Sequence, residues 1–145
     1  MHKLIFLVIL LLFVESAAAQ RNLNWSDLAD VDFKPEYNEK YDVHFLVPKF
    51  GESIKAYDGK AITITGYFLD ISGTGEVLLV SANPMASCFF CGAAGPESII
   101  EVNFNEKPSF ATDDVIQVTG TLELNRDDIN HCNYILQNAS GKLIN

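Results

Sequence analysis

Ile62-Thr63-Ile64-Thr65-Gly66-Tyr67-Phe68 and Ile116-Gln117-Val118-Thr119-Gly120-Thr121-Leu122 are two copies of one pattern, apolar and polar residues alternating up to a glycine at the fifth place. Alternation with a period of two puts one set of side chains on each face of a β-strand. A glycine inside a strand weakens it unless the chain must bend or bulge there. Small closed barrels need such bends. Working outward, Asp70 to Gly75 supplies a turn and Glu76 to Ala82 an apolar second strand. Ile99 to Phe104 reads as a third strand with Ile100, Val102 and Phe104 on one face, and Tyr134 to Gln137 as a short fifth. Residues 105–113 contain Pro108 and read as a loop, so no helix is expected between the third and fourth strands. The expectation is an all-β domain built as a small five-stranded barrel of the oligonucleotide/oligosaccharide-binding (OB) type, with a β-sandwich as the rival.

The barrel is assigned to residues 59–145, preceded by a lead-in over 20–58 that rests on it. Gln20 to Pro48 reads as irregular apart from two pieces. Ser26 is placed to cap a short helical turn through Leu28, with Asp27 in its first turn, and Val43 to Val47 reads as a short strand stopped by Pro48. Trp25, Leu28, Val31 and Phe33 are apolar enough to lie against a core. Residues 1–19 have the parts of a secretory signal: His2 and Lys3, the apolar run Leu4 to Val14, then the exit Glu15-Ser16-Ala17-Ala18-Ala19, in which Ala17 and Ala19 satisfy the small-x-small rule. Cleavage is expected after Ala19. The apolar run falls short of the roughly 20 residues a membrane-spanning helix needs, so no stable membrane insertion is expected after cleavage. The expected location is periplasmic or secreted.

The chain carries a formal net charge of -9. Lys3 and Glu15 leave together with the signal, so the mature domain keeps that charge. A domain this acidic repels phosphate backbones, which argues against nucleic acid as a partner. Asn24-Trp25-Ser26 and Asn138-Ala139-Ser140 match the N-glycosylation pattern, with meaning only in a glycosylating host.

Chemistry concentrates between the second and third strands, where residues 83–98 read NPMASCFFCGAAGPES. Cys88 and Cys91 form a CxxC. Gly92 stands where haem attachment needs histidine, and the following glycines and proline leave no room for the helix that activates a redox CxxC. One CxxC is half a zinc site. Asn130-His131-Cys132-Asn133 offers the other half. In an OB barrel the third and fifth strands are parallel neighbours, so Cys88, Cys91, His131 and Cys132 should converge at one end. Adjacent residues in extended chain point to opposite sides, which restrains how far His131 and Cys132 act together. Three roles stay open: a disulfide or buried thiols, ligation of zinc or another transition metal by Cys88, Cys91, His131 and Cys132, and thiol-disulfide exchange. Glu97 and Glu101, also close by, read as solvated carboxylates on or beside a strand, and His44 as a surface histidine.

WSDL at 25–28, GKAITITGYF at 59–68, SCFFCGAAGPES at 87–98 and DINHCNYIL at 128–136 together resemble a family of small exported bacterial proteins classed among the domains of unknown function. The resemblance covers nearly the whole mature chain, and SCFFCGAAGPES is its most specific stretch. It implies an exported bacterial protein, an accessory to envelope metal or solute traffic, and it assigns no reaction. The expected function is therefore a soluble accessory binding module, with no catalytic residues, that takes a transition metal or an envelope protein through the cysteine–histidine patch. The alternative is a thiol-disulfide redox protein using Cys88 and Cys91.

Overall fold

Alternating apolar residues give each strand an inner face that must leave water, and here the sheet buries it by closing on itself. The computed structural model describes residues 20–144 and orders them as β1 (Arg21–Asn22), α1 (Trp25–Leu28), β2 (Val31–Asn38), β3 (Val43–Phe50), α2 (Glu52–Lys55), β4 (Ala61–Asp70), β5 (Leu78–Ser81), β6 (Ile99–Phe104), β7 (Val115–Leu124) and β8 (Tyr134–Leu143). The expected signal segment lies outside the described residues. Among the described residues, no helix is long and apolar enough to cross a membrane.

Strands β4-β5-β6-β8-β7 run in that order around a barrel that β4 and β7 close by antiparallel pairing. Neighbours are antiparallel except β6 and β8, which run parallel with Glu101 opposite Ile135 and Val102 opposite Leu136. This is the expected five-stranded OB-like barrel, and the chain between β6 and β7 carries no helix. Ile62, Ile64, Phe68, Val80, Ile100, Val102, Ile116, Val118, Leu122 and Leu136 fill its interior.

Both mid-strand glycines mark close approaches. A Cβ on Gly66 would lie 2.5 Å from the Ser81 carbonyl oxygen and 2.8 Å from the Trp25 ring, so any side chain would push β5 or the indole away. A Cβ on Gly120 would lie 2.7 Å from the Gln137 carbonyl oxygen. There the β7–β8 register shifts between Thr119 and Thr121, and Asn138 adopts a φ of 51°. That bulge lets β8 continue to Leu143, well past the Gln137 stop expected from sequence.

The lead-in has more regular structure than its sequence pattern reveals. Strands β2 and β3 form an eight-residue antiparallel hairpin, where only Val43 to Val47 reads as strand from sequence. The cap of α1 is Asn24 and not Ser26: the Asn24 N–H donates to Asp27 Oδ2 at 2.7 Å, and the Asp27 N–H donates to the Asn24 carbonyl at 2.9 Å. Leu23, Leu28, Phe50 and Ile54 join the barrel core, and β1 adds to β4 in parallel. Two bonds clamp α1 down. The Tyr134 hydroxyl donates to the Leu28 carbonyl at 2.6 Å, and Trp25 Nε1 donates to the Thr65 carbonyl at 2.9 Å.

Candidate functional site

Strands β4 and β5 are apolar on both faces, and the second face builds the site. Phe68 and Val80, paired across the two strands, point into the barrel, while their neighbours Leu69 and Leu79 point outward. The 82–98 segment folds over that outer face and buries Cys88 completely against Leu69 and Leu79. Met85, Ile71, Tyr67 and Cys132 complete this small cluster. The segment is held by short 3-10 turns at Met85–Ser87, Phe89–Cys91 and Pro96–Ser98. Gly92 ends the second turn with a φ of 73°, a conformation that favours glycine.

The parallel pairing of β6 and β8 brings His131 and Cys132 beside the CxxC segment. Cys132 meets the same cluster that buries Cys88, and Phe89 and Phe90 line one cleft with His131 and Cys132. Cys91, beside Cys88, is exposed, and its Sγ donates to the Met85 carbonyl at 3.1 Å. Among the described residues no three His, Cys, Asp or Glu side chains are grouped so as to hold a metal ion.

Glu101 is the residue that sequence reading undervalued. Its carboxylate is paired and mostly shielded from water. One oxygen sits 2.7 Å from His131 Nδ1, and the other accepts the Cys132 N–H at 3.0 Å. A single side chain on β6 thus fixes the loop leading into β8. The trace in the sequence is an acidic residue within an apolar strand that runs parallel to the one after Asn130-His131-Cys132. Recognising it requires knowing that β6 and β8 are neighbours.

Electrostatics separate the two chemistries. The hydrogen bond and charge of Glu101, followed by the charges of Asp128 and Glu123, raise the His131 pKa above its ordinary value. Burial, then the Glu101 charge, pushes the Cys132 thiol up to about 12. Desolvation and the adjoining Cys88 thiol raise Cys91 as well. Reactive thiols are normally held as thiolates by nearby positive charge or a helix N-terminus, so both shifts run against exchange chemistry.

What the site does offer is a cleft of about 550 Å³ between the barrel and the β2–β3 hairpin. Its walls come from β3 (His44, Phe45, Leu46), the β4–β5 turn (Ile71, Val77), the cysteine segment and the loop before β8. Leu46 (59% exposed), Val77, Phe90 (54%) and Ile129, each from a different segment, all open onto it. A second cleft of about 510 Å³, between Phe104–Phe110 and Ala139–Gly141, contains none of the candidate site residues. Comparisons with protein-family models, with curated proteins and with solved structures gave no match to this chain.

Proposed function

We propose that this protein is an exported, non-enzymatic binding module that takes an envelope partner in the cleft between hairpin and barrel. The observation that carries the reading is the convergence of Leu46, Val77, Phe90 and Ile129 from four separate segments onto one concave surface. Scattered exposed apolar residues need no explanation, but a shared concave patch rimmed by polar groups marks a binding site. The signal-like first 19 residues and the resemblance to small exported bacterial proteins support a periplasmic or secreted location. Titration with the neutral apolar dye Nile red tests the cleft. Saturable fluorescence enhancement that is lost in Phe90→Ser and Ile129→Ser is expected. Enhancement that survives both substitutions, or none in the native protein, overturns the reading.

Metal binding through Cys88, Cys91, His131 and Cys132 is a second reading; it requires these side chains to draw together, since no three are grouped to hold an ion as they stand, and one observation favours it. The His131–Glu101 pair has the form in which a carboxylate orients an imidazole for a metal, leaving the other ring nitrogen free. Zinc analysis of protein purified without added metal tests it. A stoichiometric ion that is lost in Cys132→Ser is the expected result for that reading.

A further inference from the structure

The hairpin edge that borders the cleft has a definite hydrogen-bonding phase. Antiparallel pairs alternate between those that exchange backbone hydrogen bonds and those whose N–H and C=O groups point away from the partner strand. Pro35 lies opposite Leu46, and Pro48 lies opposite Phe33. Proline has no N–H, so both pairs belong to the second kind. Two residues on in the same phase is Tyr37 opposite His44. The bond from Gly51 N to the Asp30 carbonyl, 2.8 Å, falls in the complementary phase, as it must. The N–H and C=O groups of His44 and Leu46 therefore point away from β2. Among the described residues, no strand pairs with β3 on that side.

That free edge faces the cleft. Successive strand side chains point to opposite faces, so a wall touching one face meets every second residue. His44, Phe45 and Leu46 line the cleft consecutively, which means that β3 presents its edge. The opposite edge is covered by β2. The usable stretch is short, bounded by Pro48 on one side and the turn at 39–42 on the other. Prolines of this kind are how edge strands avoid pairing with copies of themselves. The charge is one-sided as well: beyond the Glu101–His131 pair no lysine or arginine lines the cleft, and the chain carries -9 overall.

We infer that the cleft takes an extended peptide segment of a partner protein, added as a strand to His44 and Leu46 of β3, with alternate apolar side chains entering the cleft and a basic residue flanking them. The inference rests on the binding reading above and names its partner class. Backbone pairing supplies affinity and the apolar pocket supplies selectivity, as in other strand-addition complexes.

A random peptide library panned against the purified protein tests it, with the Leu46→Pro variant as counter-selection. The enriched peptides are expected to alternate apolar residues, to carry lysine or arginine, and to protect the His44 and Leu46 amides from hydrogen exchange. N-methylation of the peptide at alternate backbone nitrogens should weaken binding to the native protein by about tenfold or more in one phase and little in the other, since one net hydrogen bond is worth about that factor. That arm does not depend on Leu46→Pro folding. Equal affinity for both methylated phases overturns strand addition. So does a library that yields no binder while Nile red still fills the cleft, which leaves the cleft itself intact. Failure of both peptide and dye removes the binding reading too. A dimer of the native protein that Leu46→Pro abolishes would assign the edge to a second copy of the chain, and overturn a foreign peptide.

Discussion

Two apolar clusters lie back to back across β4 and β5, and they are finished differently. Inside the barrel, Ile64, Phe68, Val80, Ile100 and Val118 are buried in one cluster that Leu23, Leu28 and Ile54 of the lead-in join. Outside it, Leu69, Leu79 and Cys88 are covered by one irregular segment, whose Phe90 remains more than half exposed. No buried side-chain polar atom among the described residues lacks a partner, so polar satisfaction is not what separates the two clusters. The difference lies in closure. A barrel completes its own core, whereas a cluster under a loop leaves apolar rim exposed for something else to cover. Stability should reside inside the barrel and binding outside it.

Substitutions can break or sharpen that contrast. The largest loss is expected from Leu122→Ala in the fully enclosed core, about 2–5 kcal/mol by chemical denaturation. Leu79→Ala removes the same atoms under the cysteine segment and should sit at the low end of that range, because the loop can settle into the space. Equal losses would erase the distinction. Tyr134→Phe comes next, at about 1–3 kcal/mol, since it leaves the buried Leu28 carbonyl without its donor.

A smaller effect belongs to Asp30, which precedes β2 and whose side chain meets the start of α2. Its side chain accepts from the Ser53 hydroxyl and from the Ser53 and Ile54 N–H groups, and these bonds, the Ser53 hydroxyl foremost, lower its pKa. A depressed carboxyl stabilises the fold above its unfolded value of about 4, and that stability is lost as pH falls through the lower folded value. Asp30→Asn should therefore flatten the acid limb of the melting-temperature profile and leave the neutral-to-alkaline limb parallel to the native one. An unchanged acid limb would remove Asp30 from the account. Phe90→Ser should have the least effect on stability, within about 0.5 kcal/mol, because its ring is largely in water already. It should nonetheless weaken Nile red binding, which separates the outer surface from the core in a single variant.

Legibility followed the same division. The strands of the barrel were readable because each buries its inner face, and Ile62-x-Ile64 and Ile116-x-Val118 record that burial with a period of two. The hairpin was mostly not. Val31 to Asn38 does alternate, with Val31, Phe33, Pro35 and Tyr37 between Asp32, Lys34, Glu36 and Asn38, but Pro35 argues against a strand and both strands lie largely exposed, so burial does not reinforce the pattern. Glu101 looked solvated because its partners, His131 and the Cys132 N–H, lie about thirty residues away in sequence and meet it only through the parallel β6–β8 pair.

By itself the sequence determined the strand periodicity, the two mid-strand glycines that ask for a special backbone there, and the crowding of cysteines between two strands. These are local consequences of burial and sterics, written residue by residue. The tertiary structure alone decided that Cys88 is enclosed while Cys91 faces water. It also decided that one carboxylate anchors the loop before β8, and that a hairpin edge and four apolar side chains share a cleft. Each of those depends on which strands become neighbours, and barrel closure fixes that through contacts between residues far apart in the chain.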